Sequence, residues 1–557
     1  MFTKKFMKRY LNNYFWILTL LSVFFLAAVI RFYQLDNPDH GFYLDEAAIG
    51  YNAYSVLKTG RDEFGKSFPL LFRSFTDFKA PLYIYLSIIP IKILGLGIFS
   101  TRFISALSGS IAVILAYFLI KFITKNNRPF SFLAALVLTI SPWHVFYSRG
   151  AWESNLSLLL LLVATSSCVY GSMTKKRLVF LLGSIFFVLS TYAYHGQRIV
   201  APLIFGFYLF HYRVWLLEKK KFLVLGFLVL GLLTIPILAI SLTPGGQSRV
   251  KSLSIFSPQS VLPWQNQDGQ PNNRTLTTLR KWFALYTAYF SPRNLFSEDP
   301  AEKQRWLPDL AVFYSWQLPF YLLGLVWFIK KKEYASSRPF ILPWLFFSPI
   351  AASITGDPFS TVRALPLVFP LSVIIAVGIY ESIIFFKSKN LKIIFGGVLA
   401  LMIIFSLVSL MIQFLYILPY QRAKYWELGY SQLGKILASF PNQKIVIDNS
   451  RGESYIHILF FTKFDPKIYQ KEAGYLELPN YYSSYERAAV KKFGQFEYRP
   501  INWAKEEKEG NIVVGDELIS SRENILNNPH LQLLEEILYP DQTVAFRIIK
   551  AKNLNSH

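Results

Sequence analysis

The sequence predicts an all-α polytopic membrane protein of about eleven spans that also carries a small α/β domain near its C-terminal end. Three observations lead there. Of 557 residues, 53% are hydrophobic, more than a soluble chain of this size carries. Mostly apolar runs long enough to cross a bilayer recur from residue 14 to about 413. From about residue 420 the pattern changes to short β-branched runs and one amphipathic stretch.

The first run, YFWILTLLSVFFLAAVIRFY, follows the basic start MFTKKFMKRY. It is long and bulky and lacks a small-residue cleavage site, so it reads as a retained anchor helix, not a signal peptide. Basic clusters then punctuate the chain at Lys121, Lys125 and Arg128; at Lys175, Lys176 and Arg177; and at Arg213 and Lys219 to Lys221. Others fall at Lys330 to Lys332 with Arg338, and at Lys387, Lys389 and Lys392. Two apolar runs separate successive clusters, so the positive-inside rule puts all of them, with the N-terminus, in the cytoplasm. Residues 34–100, 148–155, 193–199, 243–309 and 355–362, and everything after about 413, then face outward. The expected location is a bacterial plasma membrane with an extracytoplasmic C-terminus.

One segment tests this count. APLYIYLSIIPIKILGLGIF, residues 80–99, is apolar enough to span, yet counting it would turn every later basic cluster outward. Its Pro81, Pro90, Gly95, Gly97 and central Lys92 suit a bent interfacial or re-entrant helix instead. Residues 34–100 are therefore expected to form one long external loop with amphipathic helices. AAIGYNAYSVLKTG has apolar residues at helical spacing and is expected to lie on the membrane. A second large external loop, 243–309, contains TPGGQSRV and LPWQNQDGQPNNR, which read as irregular. Residues 1–419 make the expected transmembrane domain and 420–557 an external α/β domain. In the latter QKIVIDNS, GNIVVGDEL and VAFRIIKA read as strands and YWELGYSQLGKILASF as a helix.

The net charge of +24 resides mostly in the short loops. It follows the membrane topology, and no nucleic-acid partner is expected. The single cysteine, Cys168, lies in an apolar run and has no internal partner.

Chemistry gathers in the outward-facing segments. In FYLDEAAIG, Asp45 and Glu46 follow Phe42 and Tyr43. A carboxylate there is either a solvated loop charge, a metal ligand or a base for a hydroxyl. Apposition to an apolar surface desolvates it and raises its basicity. In FTDFKAPLYIYL, Lys79 precedes an interfacial helix, where it serves as a snorkelling lysine or as a point charge for a lipid phosphate. SPWHVFYSRGAWESN adds Arg149, Trp152 and Glu153. STYAYHGQRIV adds Tyr194, His195, Gln197 and Arg198, and GDPFSTVRALP adds Asp357 and Arg363. His195 taken alone suits a structural histidine, and the aromatics suit an interface belt. Together, acids suit activation of a hydroxyl and cations suit a phosphate leaving group. Aromatics suit sugar faces. No zinc spacing, phosphate-binding glycine loop or nucleophile elbow occurs.

The order LDEAAIGYNAYSVLKTG, FKAPLYIYLSIIPIKILGLGIFSTRFISALSG and SPWHVFYSRGAWESN resembles the GT-C fold glycosyltransferases of family 39. These include protein O-mannosyltransferases and the aminoarabinose transferases that modify lipid A. The resemblance covers residues 14–215, and RALPLVFPLSVIIAVG is similar to a later helix. It implies a membrane enzyme that takes a sugar from a polyprenyl-phosphate donor with inversion and passes it to an acceptor hydroxyl of a protein, lipid or glycan. Asp45 falls on the family's first-loop acid, the base or acceptor-orienting residue, with Glu46 as its partner. Lys79 falls on the phosphate-binding lysine, with Ala80 inserted before Pro81. Glu153 stands where many relatives carry Asp one position away. Arg149, Arg198 and Arg363 are implied phosphate or sugar contacts. Tyr43, Trp152, Glu153, Tyr194, His195 and Gln197 are the expected substrate contacts. The metal is unknown, since the two acids of the first loop also suit a divalent cation. The competing readings are a lipid-linked oligosaccharide transferase or ligase and a flippase. A flippase requires charges within its spans, and these are nearly free of them.

Overall fold

The computed structural model describes residues 2–552, apart from 76, 248–253, 257–273, 450–453, 477 and 483–490. Residues 248–253 and 257–273 of the second expected loop, LPWQNQDGQPNN included, lie outside the described residues. Within TPGGQSRV, expected to be irregular, residues 244–247 make a helical turn. There the Gly245 amide donates to the Tyr482 carbonyl at 2.7 Å.

Among the described residues six helices are long and apolar enough to cross a bilayer: Tyr14–Phe32, Ile98–Ile123, Glu153–Met173, Lys220–Ser241, Leu365–Phe385 and Lys389–Gln421. The pair Arg128–Ile140 and Pro142–Arg149, bent by 56°, makes a seventh if it is one span. The other apolar runs of the expected set form shorter helices, Arg177–Ala193, Gln197–His211, Leu318–Lys330 and Arg338–Phe347. At 1.5 Å per residue, a 13-residue helix such as Leu318–Lys330 is about 20 Å long, short of the roughly 30 Å hydrocarbon core. The chain is a multi-pass integral membrane protein. The segment 80–99 holds the helix Pro81–Leu94, likewise too short to span, with Ile89, Ile93 and Leu94 exposed on its distal half.

The chain divides into two compact units that interleave in sequence. The first comprises residues 1–33, 104–239 and 249–412, and the second comprises 34–103, 240–248 and 413–557. The expected boundary at residue 419 follows chain order, whereas the compact units join the first loop to the C-terminal segment.

The first unit is helical. Backbones approach closely where side chains are absent: a Cβ on Gly324 would meet the Ile374 carbonyl, and one on Gly378 the Phe320 carbonyl. This reciprocal pair lets the helices Leu318–Lys330 and Val368–Phe385 pack at short range, as small residues do in membranes. The 56° bend falls at Ser141 and Pro142, where proline supplies no amide to the preceding turn. Ser141 Oγ instead caps the His144 amide at 3.5 Å. The bend redirects the helix Pro142–Arg149, and Arg149 caps the end of the first helix, Phe2–Phe32. Its Nη1 donates to the Ile30 carbonyl at 2.6 Å and its Nη2 to the Tyr33 carbonyl at 2.9 Å.

The second unit is mixed α/β. A hairpin pairs β1 (Phe72–Ser74) antiparallel with β2 (Asp77–Lys79). A six-stranded sheet contains β3 (Ile445–Ile447), β4 (Lys491–Phe493), β5 (Phe496–Tyr498), β6 (Ile512–Gly515), β7 (Leu531–Leu538) and β8 (Val544–Ala551), in the order β4-β5-β3-β6-β8-β7. The pairs β3–β5 and β3–β6 are parallel and the rest antiparallel. Strands β3 and β6 are buried throughout, as their unbroken apolar runs require. The three expected strands and the helix Tyr430–Leu437 are present. The helix expected to lie on the membrane, Leu44–Thr59, packs otherwise. Residues 46–53 are buried on every face, against the helices Pro81–Leu94, Tyr455–Phe461 and Pro466–Glu472.

Candidate active site

The site is built on the first turn of the helix Leu44–Thr59. Tyr43 is its N-cap residue in extended conformation, and Asp45 and Glu46 occupy the turn where the helix dipole favours negative charge. Glu46 Oε2 accepts the Tyr43 amide at 3.1 Å and so closes the turn. Both carboxylate oxygens of Glu46 are also held by Arg102, Nε to Oε1 at 2.8 Å and Nη2 to Oε2 at 2.7 Å. Glu46 and Arg102 are 1% and 4% exposed. A bidentate geometry of this kind offsets part of the desolvation cost that burial imposes. The guanidinium also donates to the Gly41 carbonyl at 2.8 Å and to the Leu35 carbonyl at 3.2 Å. Gly41 has φ of 76°, and a Cβ there would lie 2.5 Å from the Trp426 Cβ, so only glycine fits. Arg102 therefore ties the approach chain and the first helical turn into one rigid piece.

That piece holds Asp45 against Lys79. The Lys79 ammonium donates to Asp45 Oδ1 at 2.6 Å, with the lysine side chain 7% and the aspartate 29% exposed. Lys79 is fixed by its place in β2 opposite Phe72 and by the helix that begins at Pro81. Phe78, next to it, lies in a core cluster with Phe64, Leu71, Ile240 and Tyr481. Asp45 thus presents a half-exposed carboxylate beside a buried cation.

A second acid pair lies in the same unit. Asp62 and Glu63 are fully buried. Tyr481 OH donates to Asp62 Oδ2 at 2.5 Å, and the amides of Phe64 and Lys66 donate to Oδ1. Asn52 Nδ2 donates to Glu63 Oε1 at 2.9 Å and Tyr455 OH to Oε2 at 3.1 Å. Burial pushes the Asp62 carboxyl up to about 6 and the Glu63 carboxyl up to about 8, against the opposing hydrogen bonds. These acids lock the loop between the helix Leu44–Thr59 and β1 to the C-terminal segment. Their signal, the second Asp-Glu pair of the first loop, stands in the sequence without a spacing that reveals burial.

The remaining expected residues belong to the other unit. Arg149 is engaged at the end of the first helix. Trp152 is the N-cap residue of the helix Glu153–Met173, with its ring 5.4 Å from Tyr147, and half-buried Glu153 opens that helix. Tyr194 ends the helix Arg177–Ala193, and His195 lies in the short link after it. Gln197 and Arg198 begin the next helix, and Gln197 Nε2 donates to Ser157 Oγ at 3.2 Å. Arg363 is paired with Asp357 and donates to Thr355 Oγ1 at 3.0 Å. Sequence reading missed two residues of this neighbourhood, Glu302 and Arg305, whose side chains approach to 3.6 Å. Burial raises the Glu302 carboxyl above its ordinary range, while Arg305 and Arg363 oppose the rise. Arg102 was missed as well, although a guanidinium in the apolar run STRFISALSG requires a partner. Among the described residues no three His, Cys, Asp or Glu side chains gather as a metal site. Glu46, one of the two acids considered for a cation, has both oxygens committed to Arg102.

Residues 78–240 match the family described as dolichyl-phosphate-mannose-protein mannosyltransferase. ArnT from Cupriavidus metallidurans bound to undecaprenyl phosphate is similar in structure, with a TM-score of 0.54 and 11% identity over 97% of this chain and 98% of that one. Its apo form gives 0.53 at 12% identity, with the same coverage of each chain. The archaeal oligosaccharyltransferase AglB from Archaeoglobus fulgidus, in complex with an inhibitory peptide and a dolichol-phosphate, gives 0.50 at 13% identity over 81% of this chain and 64% of that one. No curated protein sequence is a significant match. These structures are GT-C glycosyltransferases, and the likeness shows that this chain has the GT-C fold.

Proposed function

We propose that this chain of GT-C fold is an inverting glycosyltransferase that moves a sugar from a polyprenyl-phosphate donor to an acceptor hydroxyl at the outer membrane face. The observation that carries the reading is the 2.6 Å pairing of Asp45 with Lys79. It sets a proton acceptor beside a cation suited to a phosphate. The acceptor oxygen attacks the anomeric carbon as the bond from that carbon to the phosphate oxygen breaks. The bond pair leaves with the lipid phosphate, whose growing charge Lys79 stabilises. The hydroxyl proton passes to Asp45. In the resting protein Lys79 neutralises Asp45; an incoming phosphate draws the ammonium away and frees the carboxylate for the acceptor. Glu46 positions Asp45 through Arg102 and does not touch substrate.

The orientation that supports this has the N-terminus in the cytoplasm and the C-terminus outside, in a bacterial plasma membrane. Tyr43, the N-cap residue of the turn that carries Asp45, is a substrate contact in this reading. Arg149 caps a helix in the resting structure.

The test is transfer from a panel of polyprenyl-phosphate sugars by purified protein. Asp45→Asn is expected to lose roughly 10²- to 10⁴-fold in kcat in a protein that still folds, with a lowered unfolding temperature because Lys79 loses its counter-ion. Full activity in that variant removes the base assignment. Mass spectrometry of co-purified lipids identifies the sugar.

A further inference from the structure

In the first unit, a groove of about 600 Å³ separates the helix Lys389–Ile412 from the chain leading into the helix Leu318–Lys330. That volume falls in the range of small-molecule sites. One wall is apolar and opens outward: Leu401 and Phe405 are 68% and 73% exposed, on a helix whose surface is mostly uncovered. By the 1.5 Å rise, Leu401 to Ser409 lie about 18 to 30 Å from the basic end at Lys389, in the half of the span remote from the lysines. The opposite wall is polar and aromatic. Trp316 Nε1 donates to Ser406 Oγ at 2.9 Å, and Asp309 contributes an exposed carboxylate at a backbone φ of 52°. Ser297, Ser315 and Ser409 line the same space. None of the described lining side chains is cationic.

This arrangement selects by charge. A phosphate head placed there meets a carboxylate and no counter-charge, which costs free energy at an apolar boundary. A sugar or polyol head instead donates hydroxyls to the carboxylate and the serine oxygens, and offers a face to Trp316. The open apolar wall accepts a hydrocarbon chain directly from the bilayer. We propose that this groove binds a membrane glycolipid with an uncharged, hydroxyl-bearing head, its head at Asp309 and its chain along Leu401, Met402 and Phe405. The site is separate in chemistry from one for a polyprenyl phosphate and does not depend on the glycosyl-transfer reading.

The experiment is photolabelling of the full-length protein in phosphatidylcholine nanodiscs. It uses an alkyl glucoside and an alkyl phosphate that carry the same diazirine tail, with labelled peptides located by mass spectrometry. The glucoside is expected to label residues 401–409 about tenfold more than the phosphate, the difference one charge-assisted hydrogen bond supplies. Asp309→Asn, which tolerates the left-handed backbone, is expected to erase the preference, and Asp309→Lys to reverse it. Ser409→Trp, which fills the groove, is expected to abolish labelling by both. Equal or greater labelling by the phosphate in the natural protein overturns the proposal. So does a preference that survives both Asp309 variants, or labelling that ignores Ser409→Trp.

Discussion

The Lys79 ammonium and the Asp45 carboxylate meet at 2.6 Å although 34 residues separate them in the chain. The helix turn that carries Asp45 and the hairpin that carries Lys79 are each anchored independently, one by Arg102 and the other by the core around Phe78. The pair is therefore a consequence of two rigid supports and not of two flexible side chains finding each other.

Lys79→Ala is expected to raise the KM for a polyprenyl-phosphate sugar by roughly 10- to 100-fold, the worth of a hydrogen bond to a charged group. Glu153→Gln is expected to change it less. Steady-state kinetics with varied donor separates the two, and an equal effect of both substitutions contradicts the phosphate role of Lys79.

Removing one partner of the buried Glu46–Arg102 pair leaves a charge without its counter-ion. Arg102→Ala and Glu46→Ala are each expected to cost about 3–5 kcal/mol, and Arg102→Lys to recover little, because a lysine cannot make the bidentate contact. Thermal unfolding in detergent measures the loss. A near-neutral Arg102→Ala would show that the first turn is held by other means.

Glu63 gives a pH dependence with a defined sign. Its carboxyl is raised by burial to about 8 from an ordinary value of 4.5. The protonated form is thus favoured in the folded state. Its stabilising effect is complete below about pH 4.5 and is lost as pH rises toward 8. Asp62 adds the same sign over a lower window, up to about 6. Lys491 lies near Glu63 and reduces the rise. Unfolding temperature is expected to fall between pH 5 and 8, and Glu63→Gln to flatten that slope. An unchanged slope in the variant assigns the dependence elsewhere.

Gly41→Ala is expected to destabilise by about 1–3 kcal/mol, since the new Cβ meets Trp426 and the positive φ disfavours alanine. The Gly41 carbonyl also accepts from Arg102, so the same variant is expected to lower kcat. Unfolding and transfer assays on one preparation show both effects.

Much of this was legible along the chain. The long apolar helices and the buried strands β3, β6 and β8 follow from unbroken or alternating hydrophobicity, a local property. Strand β7 was not legible. LQLLEEIL is rich in residues that favour helices, and only its pairing with β8 makes it a strand. The helix Leu44–Thr59 was read correctly as a helix and placed wrongly on a lipid surface. Apolar spacing shows that a face is to be buried, and it does not distinguish lipid from protein as the cover.

Hydropathy and charge are written residue by residue, so the chain alone reveals a multi-pass membrane protein and the acids and cations worth attention. It marked Asp45 and Lys79 as candidates. Folding adds that they touch, that Glu46 is consumed by Arg102, that Arg149 caps a helix, and that Asp62 and Glu63 are sealed from water. Each of those outcomes depends on contacts between residues far apart in the chain, and burial and pairing are properties of the folded neighbourhood that no single stretch encodes.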